Sequence, residues 1–223
     1  EPIPVSSSGH IFLFKNIFNN DMFNDLNFEI VSNFGSFLAI LFIFRKEVWD
    51  LVTAFFSYIF KKETREKNKK KFKYCLFIIV STIPIGIAGL LLKDFIEEKL
   101  QNIMLLGVAF LFTAFMLLLV KNKNGKKEDY DITLKDALII GIFQIVALFP
   151  GISRSGTTLV LCLLVGMSRS TALKYTFILY FPISVGTMLL GVKDIIDAGN
   201  LSTVLLPYFL GMVGACIVTY FSY

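Results

Sequence analysis

Two short stretches hold nearly all the residues that could do chemistry. The first is Glu1-Pro-Ile-Pro-Val-Ser-Ser-Ser-Gly-His10, and the second is Pro150-Gly-Ile-Ser-Arg-Ser-Gly156-Thr-Thr158. Arg154 stands alone between apolar segments. An arginine inside a membrane span costs about 2.5–3.5 kcal/mol on insertion scales, so it calls for a partner or a task. Its planar fork of donors matches phosphate oxygens at two points. A structural pair with a carboxylate such as Glu1, or snorkelling to the interface, is the bland alternative. His10 is the only histidine, and at the end of a polar stretch it could serve as general acid or base, or orient a nucleophile. Glu1 could activate a nucleophile, hold a divalent cation, or be a solvated terminus. Ser6, Ser7, Ser8, Ser153 and Ser155, with Thr157 and Thr158, offer hydroxyl groups to phosphate oxygens. A serine near a histidine is also the usual arrangement for a nucleophile. Gly9, Gly151 and Gly156 permit tight turns and close approach of backbone to a ligand.

These residues need elements to hold them, and the composition says which. The chain has 223 residues, 55% hydrophobic, including 24 Phe, with a mean hydropathy of +0.69. Its apolar runs approach bilayer length, so the expected fold class is an all-α integral membrane protein. The segments 74–92 and 103–120 each suffice to cross roughly 30 Å of hydrocarbon. The segments 173–192 and 201–223 read as further full spans. Residues 30–44 are apolar and are expected to continue to Phe60 as an interfacial or tilted helix. The segments 11–18, 134–149 and 157–167 are shorter. The polar or charged pieces 21–27, 61–73, 93–99 and 121–131 read as loops, and PGISRSG as a polar tip. Cys75, Cys162 and Cys216 lie apart within apolar segments and read as packing residues, neither disulfides nor zinc ligands. The chain opens at Glu1 inside a motif, so an upstream segment is expected.

Charge orients the spans. Of 22 Lys and Arg, ten lie in 45–73 and five in 121–135. Basic runs beside apolar spans mark cytoplasmic loops more often than a nucleic-acid patch. Putting both runs inside forces 134–167 to begin and end on the same side, as a re-entrant helix pair. It also makes residues 11–18 half of a second pair entering from the opposite face. The pattern Ser-x-Ser-Gly recurs at Ser6–Gly9 and Ser153–Gly156. The expectation is one membrane domain over 1–223, with inverted-topology repeats at about 1–92 and 101–223 and a polar site between the tips. Helices starting at such tips aim free N–H groups and a positive dipole end into the cavity, which suits an anion.

The two signatures resemble those of the bacterial undecaprenyl-diphosphate phosphatase family, also called bacitracin-resistance proteins, in order and spacing across nearly the whole chain. The resemblance implies hydrolysis of undecaprenyl diphosphate to undecaprenyl phosphate, recycling the lipid carrier for cell-wall synthesis. It also implies a plasma-membrane site open to the outer side. On the matching positions, Glu1 is the second glutamate of the first signature, Ser7 the proposed nucleophile and His10 the signature histidine. Ser153, Arg154, Ser155 and Thr158 match the phosphate-holding residues. A further family glutamate lies four residues before Glu1, and Gln144 stands at its equivalent in the second repeat as an expected polar contact. The remaining expected substrate contacts are Ser6, Ser8, Gly9, Gly151 and Gly156. A divalent cation, Mg²⁺ or Ca²⁺, would be held by Glu1. The expected partners are the lipid substrate and membrane lipids, with no nucleic acid and with homodimerisation left open. The alternative function is a lipid-phosphate or small-anion transporter using the same cavity.

Overall fold

The computed structural model describes residues 4–18, 26–99, 102–197 and 201–222, and among them helices account for all the long elements. In chain order these are α1 (Ser7–Phe18), α2 (Leu26–Ile43), α3 (Arg45–Phe60), α4 (Arg65–Lys99), α5 (Ile103–Val120), α6 (Leu134–Phe143), α7 (Arg154–Leu164), α8 (Arg169–Asp197) and α9 (Leu201–Ser222). Four of them, α4, α5, α8 and α9, are long and apolar enough to cross a membrane, and α2 with α3 forms a fifth candidate bent by 81°. The all-α membrane class follows from the sequence as expected.

Three boundaries depart from the sequence reading. The basic stretch 61–73 is not a loop: a 3₁₀ turn at Lys62–Thr64 is its only break, and α4 then runs 35 residues. Lys and Glu are good helix formers, and Lys71 is tied back to Asp50 of α3 at 2.6 Å. The second departure is at 93–99, which continues α4 to Lys99 instead of forming a loop. The third is at Phe44, where the run from Ile30 to Phe60, read as one interfacial or tilted helix, breaks into two helices. The expected loop 21–27 falls largely outside the described residues.

α6 packs on α4 and α7, and α7 in turn on α5 and α8. Their core joins Tyr175, Ile140, Val160, Cys162 and Leu179, all almost wholly buried. A second cluster of Ile40, Phe44, Phe177 and Tyr180 joins α2 to α8. The α2–α9 crossing is close: a Cβ on Gly35 would collide with the Met212 carbonyl oxygen. Small residues of this kind let backbones touch where lipid offers no hydrophobic drive. The apolar side chains of α5 that face outward, such as Met104, Leu111 and Leu118, are exposed, as a lipid-facing surface requires.

α6 and α7 have 10 and 11 residues, each too short to span a bilayer. α6 starts at a capping box, where Thr133 accepts from the Asp136 N–H and Asp136 accepts from the Thr133 N–H. A Lys127–Asp136 ion pair at 2.8 Å reinforces it. The chain leaving α7 bonds to the same loop: the Gly125 N–H donates to the Met167 carbonyl and the Lys127 N–H to the Gly166 carbonyl, at 2.9 and 3.0 Å. The pair therefore leaves from and returns to one end of the molecule, with residues 149–153 at its far tip.

Candidate functional site between two helix N-termini

The Ser-x-Ser-Gly pattern has the same local structure at both places. Ser153 caps α7 through a hydrogen bond from the Gly156 N–H to its Oγ, at 3.1 Å. Ser6 accepts from the Gly9 N–H in the same way at 3.3 Å. The second serine of each pattern leans on the first: Ser6 Oγ to Ser8 Oγ is 3.4 Å, and Ser153 Oγ to Ser155 Oγ is 3.2 Å. The next amide completes each turn, His10 N–H to the Ser6 carbonyl at 3.2 Å and Thr157 N–H to the Ser153 carbonyl at 2.8 Å. A serine cap explains the first serine of the motif. Arg154, Ser155 and Gly156 therefore belong to the first turn of α7, not to a loop. Ser7 and Arg154 occupy equivalent first positions on their helices.

The two tips touch. A Cβ on Gly9 would come within 2.9 Å of the Gly151 Cα and 2.8 Å of the Phe110 ring. A Cβ on Gly156 would lie 3.2 Å from the Pro4 Cβ. Gly151 itself has φ +95°, a left-handed conformation that glycine adopts without a steric penalty. α5 supports the junction: the Thr113 hydroxyl accepts from the Ser153 N–H at 3.2 Å, and Phe110 packs on the His10 ring with centroids 5.1 Å apart. Ser6 has φ +60°, an uncommon conformation for a residue with a side chain and one that concentrates at functional sites.

His10 is exposed, and its Nδ1 lies 2.8 Å from the Ser6 carbonyl oxygen. A carbonyl can only accept, so Nδ1 carries a proton. Ser7, three residues earlier, is on the same side of the first turn of α1.

A narrow cleft opens beside α7. Arg154, Ser155, Thr158 and Gln144 line it on one side, with Ile40 of α2 and Thr176, Phe177 and Tyr180 of α8 opposite. Arg154 is half-buried, and its guanidinium lies 5.2 Å from the Tyr180 ring centroid, within cation–π range. Tyr180 is fixed by its hydroxyl donating to the Asn33 carbonyl at 2.9 Å. The space within is about 10 Å³, room for one water and too small for a phosphate group.

Gln144 lines the cleft but is fully buried and held by the protein. Its Nε2 donates to the Ser81 carbonyl at 3.1 Å, and its Oε1 accepts from the Thr158 hydroxyl at 3.2 Å. Ser81 Oγ in turn donates to the Ala137 carbonyl at 2.9 Å and lies 2.7 Å from the Tyr175 hydroxyl. Gln144, expected as a substrate contact, thus also forms a bracket between α4 and α7. Glu1 lies outside the described residues. The cleft lining contains no carboxylate among the described residues, and no group of three or more His, Cys, Asp or Glu residues is clustered among them. The donors present suit an anion and do not by themselves hold a hard divalent cation.

Sequence reasoning missed Tyr180, Thr113 and Phe110. Each sits in an unbroken apolar span, where neither charge nor spacing marks it.

These features define a class: a polytopic, all-helical membrane protein with two paired helix N-termini and one arginine beside them, a donor set that suits an anion. The chain matches the family model for bacitracin resistance protein BacA over residues 1–223. It is 40% identical over 222 residues to undecaprenyl-diphosphatase 1 of Bacillus cereus, covering 100% of this chain and 81% of that protein. Undecaprenyl-diphosphatase of Oceanobacillus iheyensis is 39% identical, with 100% and 80% covered, and undecaprenyl-diphosphatase 1 of Bacillus licheniformis is 39% identical, with 100% and 82% covered. The chain belongs to the BacA family.

Proposed function

We infer that the protein is a multi-pass bacterial membrane phosphatase that hydrolyses undecaprenyl diphosphate to undecaprenyl phosphate and inorganic phosphate. The relatives' names carry the substrate. The contact between two capped helix N-termini, with Arg154 beside it, supports the chemistry. The transporter reading is not favoured, because the similar proteins are named as phosphatases.

In this reading the diphosphate rests at the mouth of the cleft, against the first turns of α1 and α7, with its chain among the apolar helices. The Arg154 guanidinium and the first-turn N–H groups stabilise charge on the transferred phosphoryl group. Ser7 Oγ attacks the terminal phosphorus and its proton passes to His10 Nε2, while the bond to the bridging oxygen breaks and undecaprenyl phosphate leaves. Water then attacks the phosphoserine, freeing phosphate and restoring the hydroxyl. Direct attack by water, activated by Glu1 or His10, is the rival course. Glu1 would hold Mg²⁺ or Ca²⁺, which would supply positive charge against the diphosphate, and no step above depends on it. The repeats at 1–92 and 101–223 would have inverted topology, with basic segments 45–73 and 121–135 inside and the site open to the outer side. No step requires a second copy.

Purified protein in detergent should release inorganic phosphate from undecaprenyl diphosphate. A chain that moves its ligand without releasing phosphate, and only across a sealed membrane, would refute the assignment.

A further inference from the structure

A cationic surface far along the chain from both signatures has no part in this chemistry. α3 leaves α2 at 81°, and its residues fall into three stripes. Leu51 and Ala54 are buried, and Phe55 and Tyr58 stack on Phe72 of α4 with centroids 5.1 and 4.1 Å apart. Trp49, Val52, Phe56 and Phe60 recur at helical spacing and are exposed, Trp49 at 70%. Lys46, Asp50 and Thr53 form a third, exposed polar stripe. An outward polar stripe does not suit a helix crossing lipid, and an outward aromatic stripe does not suit one in water. A helix lying in the interface uses both.

The polar side continues into the start of α4. Lys71 pairs with Asp50 at 2.6 Å, and Arg65 Nε donates to the Tyr58 carbonyl at 3.0 Å. Around them Lys61, Lys62, Lys67, Lys69, Lys70 and Lys73 are exposed. Residues 61–73 hold eight Lys and Arg against two Glu. α4, with 35 residues, is about 50 Å long against roughly 30 Å of hydrocarbon, so these first turns stand at headgroup level. Beside them an apolar groove of about 240 Å³ runs between α3, α4 and α8, walled by Val48, Leu51, Phe55, Ile78, Ile178 and Phe181.

We propose that α3 and the first turns of α4 form a binding platform for anionic phospholipid, with the acyl chain along the apolar groove and the headgroup phosphate against the lysines. Clusters of four to eight Lys or Arg beside a span attract anionic lipid. Trp49 is the only tryptophan of the chain, so it reports on its own surroundings.

The test reconstitutes the full protein into nanodiscs without substrate and measures quenching of Trp49 fluorescence, with a Trp49→Phe protein as the blank. Phosphatidylcholine brominated near the headgroup should quench more than the same lipid brominated near the bilayer centre. At equal mole fraction, brominated phosphatidylglycerol should quench about two-fold more than brominated phosphatidylcholine. That excess should fall with added salt and in a Lys67→Gln, Lys69→Gln, Lys70→Gln, Lys73→Gln protein. Equal quenching by the two headgroups in the unmutated protein overturns the anionic preference. Stronger quenching from the bilayer centre, or no quenching because another copy covers the aromatic stripe, overturns the platform itself.

Discussion

At the scale of single residues, the site is organised by what each side chain is already bound to. His10 Nδ1 donates a hydrogen bond to the Ser6 carbonyl, which in the proposed mechanism leaves Nε2 for a proton from Ser7. Replacing Ser7 by alanine should lower phosphate release by about 10³-fold or more if it is the nucleophile. Brief exposure to substrate followed by acid quench should trap a phosphoserine in the parent protein and none in the variant. Near-full activity of Ser7→Ala would favour direct attack by water. Gln144 is a different case, because both ends of its amide are engaged. Gln144→Ala leaves the buried Ser81 carbonyl without that donor and should cost about 1–3 kcal/mol. Thermal unfolding in detergent measures it, and an unchanged midpoint would contradict the bracket role.

At the scale of elements, the decisive feature is the packing of one helix start on another. Gly9→Ala puts a methyl group 2.9 Å from the Gly151 Cα, a backbone atom that cannot step aside, whereas Gly156→Ala meets its nearest neighbours at 3.2 Å. Gly9→Ala should therefore lose about 1–3 kcal/mol and most activity, with Gly156→Ala milder on both counts; the reverse order would contradict the contact. The end of the α6–α7 pair opposite its tip is fastened by Asp136. Burial opposes its ionisation, but hydrogen bonds from Lys127 and Thr133 outweigh that and hold its carboxyl below the usual range. The stability so gained is present above the ordinary carboxylate pKa and is lost as pH falls through the lower folded value. Asp136→Asn should lower the melting temperature at pH 7, and the gap from the parent protein should narrow toward pH 3. Much of this layer was legible in the sequence. The recurrence of Ser-x-Ser-Gly, the bounds of α5 and the shortness of 134–149 all pointed to it. The helical character of Arg154–Gly156 and of Arg65–Lys73 was not legible, because serine, glycine and dense charge read as loop until a cap or a neighbouring helix decides otherwise.

At the scale of the whole molecule, the sequence pointed to a membrane protein through long apolar runs, and the fold bears this out with four helices of spanning length and a bent pair. What the sequence could not indicate is which apolar residues turn inward. Tyr180 lies in the same kind of run as the lipid-facing Leu189, yet it packs within 5.2 Å of the arginine. α7 and α8 line one cleft, α1 touches the tip before α7 through Gly9 and Gly151, and the proposed mechanism requires all three to deliver their groups to the same phosphate. The most direct test is the rate of phosphate release from undecaprenyl diphosphate by Arg154→Ala and Arg154→Lys proteins that elute and melt like the parent. Loss of the guanidinium should reduce turnover by about 10²–10³-fold, with lysine restoring only part because it lacks the two-point fork. Turnover near that of the parent protein in Arg154→Ala would contradict the account.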